Sequence, residues 1–390
     1  MASLKSMPDR LDVIVVGCGA MGSATCLACA DLGLRVLGLE ARTCTHDQGS
    51  SHGHSRIVRE AYFEHPDYVP LAMRSREMWI ALGARAGERL FHQAGVVYGG
   101  APGSPVVRGS LHSARQFGVP IERLSAAGVM SRWKQFRVPA GFECLHEPRA
   151  GFARPEQCIS VNWRLAREAG AQLREGARVD AWREVADGVE VDVDGRTIAA
   201  NSLVLTAGAW TGRLANQLGL PIRPARQPLG WAEPIDQAAA DESRMPGFLF
   251  DEGEAGAFYG VPCGADQPPP QGIKVAWHLP GPTCDPDAMG RTATAAEVER
   301  LNEGVARYLS PVAGPLHASA ICIYQMTPDQ NFLVGRAPGH RRVFMAAGFS
   351  GHGFKFAPVI GEAMACLAAG RPMNPCLEFL NPARSFHPVA

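Results

Sequence analysis

Asp12-Val-Ile-Val-Val-Gly17 is an apolar run closed by glycine, the pattern of a buried parallel strand. Gly17-Cys-Gly19-Ala-Met-Gly22 follows, then small and apolar residues from Ala24 to Leu34 at helical density. Arg35-Val-Leu-Gly-Leu-Glu40 reads as a second strand ending in an acid. Helical density returns from Tyr68 to Leu82, and the stretch from about 90 to 150 predicts a meander of short segments and turns. Alternation from Arg178 to Val193, around Asp187-Gly188 and before Asp194-Gly195, predicts hairpins. Leu203-Val-Leu-Thr-Ala-Gly208-Ala-Trp210 is another buried strand entering a glycine turn and a helix. Between 220 and 290 the chain is rich in Pro and Gly, with strand-like pieces at Gly247 to Phe250, Ala257 to Val261 and Ile273 to His278. A helix with charged faces is expected from Thr294 to Leu309, and a buried strand from Val343 to Ala347. The chain closes with an apolar helix, Val359 to Leu367, where Pro358 is tolerable in the first turn.

The first strand, helix and second strand form a βαβ unit with a GxGxxG turn. Gly17 allows the tight turn, Gly19 lets backbone amides approach a pyrophosphate, and Gly22 lets helix and strand pack closely. The helix N-terminus offers free amides and a positive dipole. Glu40, 23 residues beyond Gly17, stands where a carboxylate binds ribose hydroxyls. The motif alone does not separate FAD from NAD.

A second glycine loop, Gly348-Phe-Ser-Gly351-His352-Gly353-Phe-Lys355, again lies between a strand and a helix N-terminus and would aim amides at a negative ligand group. At period two, Lys274, Ala276 and His278 share one strand face. Cys322 lies in alternating apolar sequence, where core filling is the ordinary role. Arg56 and Arg59 suit either a solvated surface or a fixed carboxylate site. His52 and His54 have no third ligand nearby, so no metal is expected.

Composition narrows the classes. At 390 residues the chain exceeds what one core usually fills, so two domains are expected. It is 46% hydrophobic and 19% charged, which excludes disorder and coiled coil. Lys+Arg 38 against Asp+Glu 38 argues against a nucleic-acid or anionic-membrane binder. Only Lys5, Lys134, Lys274 and Lys355 are lysines, so a compact ammonium stands out at each. No apolar run approaches the ~18 residues of a membrane span. Eleven cysteines without paired spacing read as reduced thiols in a cytoplasmic protein, with Cys26 and Cys29 packing on a buried helix.

Four motifs fall together in one order: Gly49-Ser-Ser51-His52-Gly-His54-Ser-Arg56-Ile-Val-Arg59-x-Ala-Tyr, Lys274-x-x-x-His278, Cys322-Ile-Tyr324-x-x-Thr-x-Asp329-x-x-Phe332 and Gly348-Phe-Ser-Gly351-His352-Gly353-Phe-Lys355. In this the chain resembles the monomeric sarcosine oxidase, N-methyltryptophan oxidase and pipecolate oxidase family, from about 10 to 370. The resemblance implies an α/β chain of two domains: a glutathione-reductase-type FAD-binding Rossmann domain (10–90, 150–215 and 315–380) and a substrate domain with a mixed β-sheet (91–149 and 216–314). It implies FAD attached through its 8α-methyl to Cys322. Gly17, Gly19, Gly22, Glu40, Ser51, His52, Arg56, Val179, Gly348, Gly351, His352, Gly353 and Lys355 would contact the cofactor. Arg59 and Lys355 match the pair that clamps the substrate carboxylate, with Tyr259 beside it. Lys274 matches the oxygen-activating lysine, and Arg56, Tyr259, His278 and His352 match polar catalytic groups.

The implied reaction oxidises a secondary (N-methyl) α-amino acid such as sarcosine, with hydride transfer to flavin N5, imine hydrolysis, and O2 reduced to H2O2. A cyclic or bulkier substrate (pipecolate, proline, N-methyltryptophan) is the alternative. It gains weight from Phe258, which replaces a second tyrosine, and His54, which replaces an acid. From other classes, an NAD-linked dehydrogenase would leave Cys322 and Lys274 without purpose, and a non-catalytic flavoprotein subunit would turn over no free amine. The expected partners are an amino acid and O2, with no nucleic acid, no membrane and a monomeric state.

Overall fold

The structure, a computed structural model, describes residues 10–264, 266–279 and 281–386. The chain divides into two compact units: residues up to His52, Glu156–Pro224 and from Tyr324 onward form one, and Gly53–Pro155 with Ala225–Ile323 the other. The sequence reading divides the first stretch near 90 instead. The strand Arg56–Val58 pairs with Gly151–Ala153, which also pairs with Phe91–His92, and this ties the 53–90 region to the second unit.

In the first unit, strand Leu11–Val16 lies between Val36–Leu39 and Arg196–Leu205, parallel to both. Val36–Leu39 pairs onward with Gln172–Arg174, and Arg196–Leu205 with Val343–Ala347, again in parallel. The expected hairpin is Val179–Val185 with Gly188–Val193, laid antiparallel on the first half of Arg196–Leu205. Strands buried on both faces explain the continuous apolar runs. Helix Ala20–Asp31 starts four residues before the apolar density does, because Gly19 is its N-cap and Ala20-Met21-Gly22-Ser23 form its first turn. It packs on helix Ala357–Ala368, where Gly361 lies against the Ala24 backbone. Cys26 and Cys29 are fully buried on it, and burial pushes the Cys29 thiol up, which suits packing rather than redox exchange. After Leu205 the expected helix is only a 3-10 turn, Gly208–Trp210, and a four-residue helix, Thr211–Leu214.

The second unit is built on one mixed sheet. Its order is Ala313–Met326, Arg223–Pro234, Ile273–His278, Ala257–Val261, Gly247–Asp251, Val96–Gly100, Glu143–Glu147 and Glu122–Ser125. Within it Gly247–Asp251 and Val96–Gly100 run parallel, while the pairs of Ile273–His278 and of Glu143–Glu147 with their neighbours are antiparallel. Alternation gives the sheet two unlike faces. Phe248, Phe250, Phe258, Ile273 and Val275 join Leu301, Val305 and Tyr308 of helix Ala295–Tyr308 in one core. That helix opens with a capping box, Thr294 with Glu297. The meander expected from 90 to 150 contains two helices, Pro105–Phe117 and Ala126–Arg132. Ser104 and Ser125 cap them, accepting from Val107 N at 3.3 Å and Gly128 N at 3.0 Å. Helix Pro155–Glu168, which the hydrophobic pattern did not reveal, starts with proline at its first position. No described helix is long and apolar enough to cross a membrane.

The GxGxxG turn yields a direct test. A Cβ on Gly22 would sit 1.8 Å from Gly17 O, whereas on Gly19 the nearest atom is Ser51 Oγ at 3.8 Å. Gly22→Ala is therefore expected to destabilise the apoprotein by about 3 kcal/mol, in the range of overpacked cores. Gly19→Ala should lower the thermal midpoint far less, and equal losses would show that the turn is not packed this way.

Candidate functional site

In the first unit, Gly17 (φ +85°) donates its N–H to Leu39 O at 2.8 Å, and Thr206 Oγ1 donates to Gly17 O at 2.7 Å. The turn is locked from below, while the space over Gly19 is open as far as Ser51. Glu40 is buried and accepts from Cys18 N at 2.9 Å and Arg42 N at 3.0 Å. Burial pushes its carboxyl up, and those backbone bonds pull it back. Glu40 thus fastens the turn to the second strand. His52 is buried, and its Nε2 has no hydrogen-bond partner. Val179 opens its strand opposite Val193, where the register shifts.

The second glycine loop is less bare than the sequence suggests. Gly348 N donates to Gln325 Oε1 at 2.7 Å and Ser350 N to Gln325 O at 2.9 Å, so two of its amides are taken. Gly351 (φ +83°) cannot carry a side chain, because a Cβ would lie 2.4 Å from the Tyr324 ring. After Gly353 comes a 3-10 turn, Phe354–Phe356, before helix Ala357–Ala368. Lys355 is buried and its Nζ donates to His352 O at 2.8 Å; the His352 ring lies on Phe332 with Nε2 3.1 Å from Gln330 O.

In the second unit the sheet face turned away from the phenylalanine core holds Lys274, Tyr259 and Cys322. Trp231 and Lys274 are directly opposed across neighbouring strands, as are Leu229 and Ala276, and Tyr259 and Ala276. Cys322 packs in the same cluster as Leu229, Trp231, Ala276 and Tyr259. The loop after Gly53 is held to this face. Lys274, 3% exposed, donates from Nζ to Ser55 O at 2.7 Å, and a Cβ on Gly53 would lie 3.4 Å from that Nζ. Arg56 donates to Ser55 O at 2.7 Å and to Cys322 Sγ at 3.7 Å. His54 (φ +70°) sits edge-on to Trp231 at 5.2 Å. Two buried polar atoms of this cluster, Ser55 Oγ and Trp231 Nε1, have no hydrogen-bond partner. Such atoms cost stability unless something fills them.

Arg59 is buried and fully engaged. Nη2 meets both Glu64 oxygens at 2.6 and 2.7 Å, Nη1 donates to Ala61 O at 2.7 Å, and the guanidinium lies over Tyr62 (4.1 Å) and Phe63 (4.5 Å). Burial opposes its charge, but Glu64, Tyr62 and Tyr98 together outweigh this and hold the guanidinium above its ordinary pKa. A site built this way grips a carboxylate, and here the carboxylate is the protein's own.

Residues 12–367 match the model of a family described as FAD dependent oxidoreductase. The chain belongs to that family. It is 37% identical, over 93% of its length and 94% of the relative's, to monomeric sarcosine oxidase of Streptomyces avermitilis. It is 33% identical to N-methyl-L-tryptophan oxidase of Salmonella dublin, over 93% of this chain and 95% of the relative. Among solved structures, the Tyr258Phe mutant of NikD, an amino acid oxidase essential for nikkomycin biosynthesis, superposes with TM-score 0.83 at 26% identity, covering 97% of this chain and 99% of the other. Glycine oxidase from Geobacillus kaustophilus shares the fold at TM-score 0.80 and 21% identity, over 97% and 100% of the two chains.

The oxidoreductase therefore uses FAD, and its own residues fit one. The open space over Gly19 and the unpartnered His52 Nε2 lie in the nucleotide unit, and the unpartnered Ser55 Oγ and Trp231 Nε1 in the other. Arg56, Arg59, Tyr259, Lys274, His278 and Cys322 belong to the second unit, with Ser51, His52, His352 and Lys355 in the first. The structure brings Lys274, Tyr259 and Cys322 onto one sheet face with Arg56 at the thiol.

Sequence reasoning missed Glu64, Trp231, Tyr98 and Glu147. The signal for Glu147 was an acid in the strand Glu143-Cys-Leu-His-Glu147 on the side of apolar Leu145. It also missed a cluster of His92, Glu242 and Asp266, whose ligand atoms lie within 4.8 Å of one another. Arg89 pairs with Glu242 at 2.9 Å and Arg154 with Asp266, so two guanidiniums already balance its carboxylates.

Glu147 is fully buried, and burial pushes its carboxyl up to about 7 from 4.5. Its folded value lies above the unfolded one, so this contribution to stability is complete below about 4.5 and is lost as pH rises through about 7. Relative to Glu147→Gln, the wild type should lose about 3 kcal/mol across that window in urea unfolding. A stability difference independent of pH would contradict the burial.

Proposed function

We propose that this oxidoreductase oxidises an N-methyl or other secondary α-amino acid with dioxygen, yielding an imine that water hydrolyses, and hydrogen peroxide. The observation that carries the reading is the shared sheet face of Lys274, Tyr259 and Cys322, with the basic loop Arg56–Arg59 fastened to it. The relatives named for sarcosine and N-methyl-L-tryptophan support this substrate class.

When bound, the flavin supplies the two-electron acceptor for the amine and passes those electrons to dioxygen. Gly17, Gly19, Gly22, Glu40, Ser51, His52 and Val179 would hold its nucleotide part, and Gly348, Gly351, His352 and Gly353 the other end. Cys322 would form the thioether to the 8α-methyl, in an environment where the Arg56 guanidinium already donates to the sulfur. Arg59 and Lys355 would take the substrate carboxylate, which must then replace Glu64 on Arg59. Fixing the acid holds the reacting C–H in place, and such positioning is worth effective molarities of about 10⁵ M or more. The amine reacts as the free base, which neighbouring cations favour by resisting a second positive charge. Lys274 would place a buried ammonium where negative charge develops on oxygen, an effect strengthened by exclusion of water. Tyr259 and His278 line the same face; the substrate domain would hold them there.

The experiment is a peroxide assay over sarcosine, N-methylalanine, pipecolate, proline and N-methyltryptophan, with Lys274→Met as the mechanistic variant. Peroxide from at least one of these acids is expected, and none from the matching amine without its carboxylate. Lys274→Met should slow flavin reoxidation by about 100-fold or more, the scale of removing one preorganised electrostatic group, while leaving anaerobic reduction nearly intact. Peroxide from amines alone, or equal loss in both half-reactions, would overturn the assignment.

A further inference from the structure

The proposed mechanism leaves one buried acid unused. Glu147 lies on the same sheet face as Tyr98, two strands that pair side by side, and is fully buried. Its carboxylate accepts three hydrogen bonds: from Glu60 N at 2.6 Å, from Ala61 N at 3.2 Å and from Tyr98 OH at 2.6 Å. Ala61 is the link that matters. Its N–H is held by Glu147, and its carbonyl accepts from Arg59 Nη1 at 2.7 Å. The path from sheet to guanidinium is thus Tyr98, Glu147, the backbone of Ala61 through its N–H and its C=O, and Arg59.

We propose that Glu147 is the positioning residue of the carboxylate clamp, fixing the 59–64 segment so that Arg59 presents its guanidinium to an incoming acid. The inference rests on the reading of Arg59 as the clamp. A carboxylate can accept all three bonds at once. A carboxamide cannot, because its NH2 has no lone pair to offer a facing donor, and protonation turns one carboxylate oxygen into a hydroxyl, a weaker acceptor whose hydrogen needs a partner of its own. Losing or weakening one of these bonds leaves a buried backbone N–H poorly satisfied and frees the backbone at Ala61 to turn. Ala61 also carries, in its next peptide, the carbonyl that aims Arg59.

The charge state of this anchor is set by what surrounds it. Burial disfavours the carboxylate, Tyr98 and the Glu60 amide favour it, the Glu60 carboxylate opposes it, and Arg59 supports it. Glu60 is in turn faced by Arg149 at 3.3 Å and Arg76 at 4.0 Å, while Glu64 pairs with Arg59 at 2.6 Å and the Tyr62 ring lies 4.1 Å from its guanidinium. With Glu147 pushed up to about 7, the anchor is partly protonated near neutrality.

The test uses the flavin-loaded enzyme and propionate, an acid without an amine, followed through the flavin absorbance. In the wild type, the propionate Kd should rise as pH falls from 8 to 6. In Glu147→Gln, Kd at pH 8 should be about tenfold higher, the scale of one lost buried hydrogen bond, and flat over that range. The limiting rate of anaerobic reduction by substrate should stay within about twofold. Unchanged affinity and pH dependence would overturn the proposal, as would a fall in limiting rate that matches the fall in affinity. Arg59→Met separates the two readings. If it binds propionate like the wild type, the clamp is misassigned and the positioning role falls with it. If it loses propionate while Glu147→Gln keeps it, only the positioning role fails. Should Glu147→Gln not accumulate, Tyr98→Phe removes the hydroxyl that favours the carboxylate and should move the pH of weakened binding upward. An unmoved pH would overturn the proposal.

Discussion

A buried ammonium has to find acceptors, and Lys274 finds one in the carbonyl of Ser55. That bond decides much of the second unit's architecture. It draws the loop after Gly53 down onto the sheet, and with it Arg56, His54 and the start of the Arg59 segment. Glycine suits position 53 because its φ is +91°, and a Cβ there would also lie 3.3 Å from Leu229 Cδ2 and 3.4 Å from Nζ. The loop carries the cations and the sheet carries the thiol, so this bond, with the Arg56–Cys322 contact and the pairing of Arg56–Val58 with Gly151–Ala153, brings together groups that are far apart in sequence.

The sheet can host this chemistry because alternation separates two jobs. Phe248, Phe250, Phe258, Ile273 and Val275 fill one side against helix Ala295–Tyr308. Freed from packing, the opposite side holds Lys274, Tyr259, Trp231 and Cys322 in one direction and Tyr98 with Glu147 in the other. A one-residue slip of the Ile273–His278 strand would bury the lysine in the phenylalanine core and turn Ile273 and Val275 toward the loop. Register is therefore a functional as well as a structural constraint.

Much of this was legible in the chain. The βαβ unit could be read from its apolar runs and glycine spacing, since strands buried on both faces need continuous hydrophobicity. The common face of Lys274 and Ala276 followed from period two alone. Helices Pro105–Phe117 and Ala126–Arg132 escaped because their apolar positions are sparse and their starts are marked only by single capping serines. The early start of helix Ala20–Asp31 was hidden inside the glycine motif itself. The partners of Glu64 and Glu147 could not be read from the chain, because loop closure and cross-strand pairing rather than spacing fix them, although an acid on the apolar side of a strand did mark Glu147. The occupied amides of Gly348 and Ser350 were hidden for the same reason: Gln325 comes from another strand.

In the proposed function Cys322, on the Lys274 face, carries the flavin. Protein purified with its cofactor, unfolded in acid and digested, should then give a peptide containing Cys322 whose mass exceeds that of the free peptide by one flavin unit and which absorbs in the visible as a flavin. A Cys322 peptide of unmodified mass, with all the flavin released into solution, would contradict the account.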